Sequence, residues 1–240
     1  MLKYVNKIWD IYKEKYHLES SVQIEEVRFD AEKGIDSSFD IKELYSGRWI
    51  LHLNKDIHSY RSDYVDYILW HEFTHLYDFL TQPYEYKVMR KIYLYMNTYS
   101  EYHASRRALG WALEKLYPKG LDPDKCVLPS AHREISLRKL VSDTLHQAEL
   151  SRAWFIENPS HQAFHVYLRY LMYLMGYASH FENKEDILGF CLDDLKEEKD
   201  IYQKLFKIME EKDFFKILPH MDEIYKSAGI SDGEPVGSIS

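Results

Sequence analysis

Two cysteines, seven prolines and nine glycines among 240 residues are few, and each scarcity removes a class of protein. Cys126 and Cys191 stand alone, without a CxxC partner, so a disulfide-rich framework is excluded and both read as reduced thiols. Low glycine and proline exclude collagen-like and low-complexity chains. Long apolar runs are also missing: the longest, Tyr170 to Ala178, falls far short of the ~20 residues of a membrane span. In Met1-Leu2-Lys3-Tyr4-Val5-Asn6-Lys7 charges interrupt every apolar stretch, which argues against a secretory signal. Positive charge is short as well, 31 Lys+Arg against 39 Asp+Glu for a net charge of −8. A broad phosphate-binding surface needs clustered cations, so nucleic acid is not an expected partner, nor is a membrane. A cytoplasmic protein is expected.

What remains is globular, with 45% apolar residues and 21 tyrosines. A chain of this length buries a core without metal staples, so any metal it binds is expected to be functional. Leu2, Val5, Ile8, Trp9, Ile11 and Tyr12 recur at helical spacing and predict an amphipathic first helix. Two β-like stretches follow, a weaker one over Val22, Ile24 and Val27-Arg28-Phe29 and a stronger one over Arg48 to Leu53. The loop between them carries Gly34, Asp36, Ser37, Ser38 and Gly47. Beyond Asn54 almost everything reads as helix: one from a cap at Ser59 or Ser62 to about Leu80, before Pro83, then one or two over 84–117. Leu121 to Ser130 is the best internal boundary. Further helices are predicted from about Glu134 to Ile156, Ser160 to Phe181 and Asp193 to Tyr225. The fold class expected is mostly α with a small N-terminal β-sheet (α+β). Residues 1–120 would form the core, 131–226 a helical region packed on it, and 227–240 a flexible tail.

Chemistry concentrates in His71-Glu72-Phe73-Thr74-His75, an HExxH sequence. Helix positions four apart share a face, so both imidazoles can bind one zinc ion, with Glu72 beside the open coordination position as general base. With 12 His and 21 Glu in the chain, chance alone yields such a motif about 0.05 times. The bare motif therefore needs its context. Its flanks, Tyr64 to Trp70 and Leu76 to Leu80, contain no glycine or proline and supply Ile68, Leu69, Leu76 and Phe79 to bury a helix around it.

A catalytic zinc needs a third protein ligand. Glu101, 26 positions after His75, is the first strong candidate. Ala104, Ser105 and Ala108 give its segment a small-residue side that could approach the motif helix. His103 is the rival, but two positions on it points some 200° away on an ideal helix. Asp78 is a candidate for orienting an imidazole through a hydrogen bond, against the plainer reading of a salt-bridge or capping group. His161 and His165 repeat the four-residue spacing, but Gln162 between them cannot act as a base. Arg106 and Arg107 could hold a substrate carboxylate or simply line a solvated face. Tyr67, Tyr77, Tyr95, Tyr99 and Tyr102 flank the site, and a tyrosine hydroxyl there could donate to an oxyanion. The stripe Tyr167, Tyr170, Leu171, Leu174 and Tyr177 reads as core, and Asp193 to Asp200 as an exposed face.

Ile50-Leu51-His52-Leu53-Asn54, the HExxH helix and a glutamate in an E-x-x-A segment together resemble the intracellular glu-zincin-like metallopeptidases of the ImmA/IrrE type. These occur in bacteria, phages and integrative elements, and some cleave repressors. The resemblance covers about residues 45–110. It implies a zincin-like core, His71, His75 and Glu101 as ligands of Zn2+, Glu72 as the catalytic glutamate, and a protein or peptide as substrate. Thr74 departs from it, standing where that family commonly has glycine, and more than a hundred residues after Ser105 carry no readable match. Arg48 to Leu53 is the strand on which a substrate would be expected to add. Oligomeric state has no signature here.

Overall fold

The computed structural model describes residues 1–31, 36–40, 43–44, 46–81, 90–118, 125–180 and 214–230. They are mostly helical, with one small sheet and one short hairpin. Two compact units divide the chain: Met1–Lys87 with Arg107–Leu137, and Val88–Arg106 with Arg138–Ser240. Among the described residues no helix is long and apolar enough to cross a membrane.

In the first unit, α1 (Leu2–Lys15) buries Val5, Trp9 and Tyr12 completely, the i, i+4, i+7 stripe of its apolar pattern. Ile11 and Leu2 are left exposed. His17 adopts a left-handed φ of 52° just past the end of the helix. Asn6 then grips the next segment through both ends of its amide, donating to the Ile24 carbonyl at 2.9 Å and accepting from the Ile24 N–H at 2.8 Å. Trp9 donates to the Val22 carbonyl at 2.8 Å. These bonds seat α1 beside β1 (Glu26–Arg28).

The sheet has the order β1-β3-β2, with β3 (Ile50–Leu53) in the centre, parallel to β1 and antiparallel to β2 (Ser37–Phe39). Ile50, Leu51 and Leu53 are 1% exposed or less, as a central strand requires. β2 was not expected, since Ser37-Ser38-Phe39 has no apolar alternation. It is a strand because its backbone pairs with Leu51 to Leu53. The central place of β3 also corrects the expectation that a substrate strand adds to Arg48–Leu53, because both edges of that strand are already paired.

After a 3-10 turn (Lys55–Ser59), α2 (Ser62–Thr81) carries the HExxH sequence in mid-helix. The Ser59 hydroxyl donates to the Asp56 carbonyl within the turn, Ser62 is the first residue of the helix, and the Arg61 carbonyl before it accepts from Tyr64 and Val65. The long helix α3 (Arg90–Leu116) is unbroken at Asn97. Its last turns belong to the first unit, where Trp111 stacks on Trp70 at 5.6 Å and Lys115 pairs with Asp66 at 3.0 Å. A hairpin of β4 (Val127–Pro129) and β5 (Glu134–Ser136) follows, so Glu134 to Ser136 is strand where helix was expected. Cys126 is fully buried, and Cys191 lies outside the described residues.

In the second unit, α4 (Leu137–Glu157), α5 (His161–Ala178) and α6 (Phe214–Ser227) join the first turns of α3. The Ser160 hydroxyl caps α5 by accepting from the Ala163 N–H, and Tyr167, Leu171, Leu174 and Tyr177 are buried as core, while Tyr170 of the same stripe is half-buried. The run Asp193 to Asp200 and residues 231–240 lie outside the described residues. Gly176 of α5 meets α3 so closely that an added Cβ would stand 2.7 Å from Ser105 Cβ and 2.9 Å from the Arg106 nitrogen and Tyr102 oxygen. Two of those neighbours are backbone atoms and cannot swing aside. Replacing glycine by alanine inside a helix ordinarily stabilises by about 1 kcal/mol. Here overpacking, typically ~1–3 kcal/mol, opposes that gain. Gly176→Ala is expected to lower the midpoint of chemical denaturation; a raised midpoint would show that the helices separate without cost.

Candidate metal centre

On α2 at about 100° per residue, His71 and His75 share one face, Glu72 lies to one side of it, and Trp70, Thr74 and Tyr77 lie to the other. The two imidazoles converge. Their Nε2 atoms stand 3.1 Å apart with the rings steeply inclined at 79°. Two nitrogens each about 2.0–2.1 Å from one tetrahedral ion would be roughly 3.3 Å apart, so this spacing suits two ligands of a single metal. One ligand atom each from His71, His75 and Glu101 lie within 4.8 Å of one another, a group able to hold a metal ion. Glu101 is 4% exposed. His103 is not in that group; its ring packs on Tyr99 with centroids 5.0 Å apart.

Glu72, 6% exposed, is oriented by a residue outside the motif. Ser37 of β2 donates its hydroxyl to Glu72 Oε1 at 2.9 Å. The preceding residue anchors that strand, because Asp36 accepts from Tyr60 at 3.1 Å and from Tyr64 of α2 at 2.7 Å. Burial together with the charge of Asp36 pushes the Tyr60 phenol up to about 12, so it remains a donor. No motif announces Ser37. Its only sequence signal is its place in a polar loop between two predicted strands.

The opposite flank of α2 is held by a chain of hydrogen bonds. Arg107 Nη1 donates to the Tyr12 hydroxyl at 2.7 Å, Tyr12 donates to Thr74 Oγ1 at 2.9 Å, and Thr74 donates to the Trp70 carbonyl at 2.9 Å. The Arg107 guanidinium lies 4.1 Å from the Tyr16 ring centre and 4.2 Å from that of Tyr77. Burial would lower the pKa of Arg107, but the polar and charged groups around it, Tyr12 and Asp78 foremost, hold it above its usual range. Arg107 is thus half-buried in a packed cluster, whereas Arg106 is exposed. Asp78 is 3% exposed and acts on Tyr12 and Arg107.

Glu101 has its own neighbours on α5. Arg169 Nε lies 3.1 Å from Glu101 Oε1 and donates to the Tyr173 hydroxyl at 2.9 Å. Burial, then the Glu101 charge, pushes the Tyr173 phenol well up. One turn earlier His165 sits between Asn97, at 3.4 Å, and Thr98, at 3.3 Å. Burial brings its pKa down to about 4, which keeps the imidazole neutral. His161 stacks on Tyr225. Of the tyrosines flanking the motif, Tyr77 holds Arg107, Tyr95 donates to Asp222, Tyr102 accepts from Arg106, Tyr67 stacks on Tyr64, and Tyr99 packs on His103. Tyr173, absent from that set, is hydrogen-bonded to Glu101, a member of the metal-binding group.

Comparison with known proteins finds no match to a family model, to a curated protein or to a solved structure. The role of Thr74 is open to direct test. Thr74→Val keeps the shape but leaves the buried Tyr12 hydroxyl without its acceptor, at a cost of about 1–3 kcal/mol. Urea denaturation should show that loss, and an unchanged midpoint would remove Thr74 from the chain.

Proposed function

We propose that this protein is a zinc-dependent metallopeptidase with a zincin-like core, acting on a protein or peptide in the cytoplasm, in the manner of the ImmA/IrrE-type enzymes its motifs resemble. The observation that carries the reading is the convergence of His71 and His75, 3.1 Å apart at Nε2, with Glu101 in the same group and a buried Glu72 on the same helix. Two imidazoles and one carboxylate are a donor set of catalytic zinc, and three protein ligands leave the fourth position for water or substrate. A zinc ion held there supplies Lewis-acid activation of water and of a substrate carbonyl.

The chain's own residues do the rest. Glu72 lies off the metal-facing side of α2, so its carboxylate is available to take a proton from the attacking water and deliver it to the departing amine. Ser37 holds Oε1 of that carboxylate in one rotamer. Among the described residues β2 is paired on one side only, and it carries Ser37. An extended substrate adding to β2 would therefore run past Glu72, its backbone recognised by strand pairing.

Metal analysis of purified protein should find about one zinc per chain, lost in His71→Ala because two remaining ligands do not retain it. Glu72→Gln should keep the zinc and lose about 10²- to 10⁴-fold in hydrolysis of a peptide library followed by mass spectrometry, since an amide cannot accept the proton. Wild-type turnover by that variant would eliminate Glu72 as the base. Cleavage of small non-peptide amides with every peptide left intact would refute the peptidase assignment.

A further inference from the structure

Glu101 must do two things at once: remain a buried anion and present one oxygen in a fixed direction. Burying a carboxylate is costly unless a cation or strong donors accompany it. Its side chain is 5% exposed, and the groups that accompany it lie one turn apart on α5. Arg169 places Nε 3.1 Å from Oε1, and the Tyr173 hydroxyl accepts from that same Nε at 2.9 Å. Tyr173 is itself hydrogen-bonded to Glu101, and the guanidinium rests 5.6 Å from the Tyr173 ring centre.

The surroundings make this pair distinctive. On α5 the neighbours Leu168, Leu171, Met172 and Leu174 are all buried and apolar, while His165, Arg169 and Tyr173 recur every four residues as a polar stripe. That stripe meets Thr98 and Glu101 of α3. The reach of Arg169 is set by the backbone, because Gly176 brings α5 against Tyr102, Ser105 and Arg106 within a turn or so of Glu101.

We propose that Arg169 and Tyr173 are positioning residues that hold Glu101 by Oε1, so that it serves as a one-oxygen metal ligand through Oε2. The inference rests on the metal reading above and goes beyond it by assigning the residues that orient the third ligand. A carboxylate gripped at one oxygen cannot rotate to bind a metal with both, and partners of this kind typically contribute 10- to 100-fold in metal affinity. Arginine suits the task because its planar fork fixes direction, which the ammonium of lysine does not.

The test uses full-length protein and zinc alone, titrated against a chromophoric chelator. Arg169→Met is expected to bind zinc 10- to 100-fold more weakly than wild type. Arg169→Lys should recover only part of that loss, and Tyr173→Phe should weaken binding several-fold while removing a single hydroxyl. X-ray absorption of the zinc-loaded proteins supplies a readout that general loosening would not mimic, four nitrogen and oxygen donors in wild type and five in Arg169→Met as Glu101 becomes bidentate. Wild-type affinity and four donors in Arg169→Met would overturn the proposal while leaving the metal site standing. Should Arg169→Met fail to fold, Tyr173→Phe decides, and unchanged affinity there overturns it equally. A wild-type chain that bound no zinc would overturn the metal reading and this inference with it.

Discussion

The guanidinium of Arg107, 4.1 Å from the ring centre of Tyr16 and 4.2 Å from that of Tyr77, makes the interaction on which the first unit is built. A cation can sit in such a place only if its charge and its N–H groups are answered. Both rings answer the charge, the Tyr12 hydroxyl takes an N–H, and Asp78 supplies the opposite charge. The hydrogen bonds then continue through Thr74 to the carbonyl of Trp70. Three helices are joined by this arrangement, since Tyr12 and Tyr16 belong to or follow α1, Thr74 and Tyr77 to α2, and Arg107 to α3.

Its effect on α2 is rotational. By engaging one flank of the helix it determines which way the adjoining face, with His71 and His75, is turned, and it leaves the far flank for Glu72 to meet Ser37. Thr74 acquires a physical explanation in this way. A glycine at that position would save space and break the chain of hydrogen bonds, leaving the phenol of a fully buried Tyr12 without its acceptor. The departure from the resembled motif therefore belongs with the tyrosines of α1, which create the need for a hydroxyl.

Glu101 and Arg107 lie on one uninterrupted helix, and the two residues are treated very differently. Arg107 is an arginine among aromatic rings in the first unit, whereas Glu101 is a carboxylate accompanied by arginine and tyrosine in the second. Beside Glu101, α5 contributes polar side chains at four-residue spacing, and the neutral His165 among them adds no further positive charge. The chain thus spends polar residues inside two cores, each time with hydrogen-bond partners that limit the cost of burial.

Several features were legible in the amino-acid sequence because they depend on local spacing. The i, i+4 histidines had to share a face once the flanks formed a helix, and the absence of glycine and proline from Tyr64 to Leu80 made that helix secure. The Ser160 cap and the strand at Ile50 to Leu53 follow from equally local rules, and Glu101, the first strong candidate after the motif, falls in one group with His71 and His75. Tertiary structure decided everything that required two distant segments to meet. Ser37-Ser38-Phe39 carries no strand pattern and becomes one only through the backbone of β3, which at once removes β3 as an open edge and brings a hydroxyl to Glu72. Arg107 looked like half of a solvated pair because its partners are 95 residues away at Tyr12. Tyr173 was one tyrosine among 21, and its distinction is a contact with Glu101 across two helices. Periodicity reports which face a residue occupies; what stands opposite that face is set by how the helices and strands pack, and no local spacing encodes it.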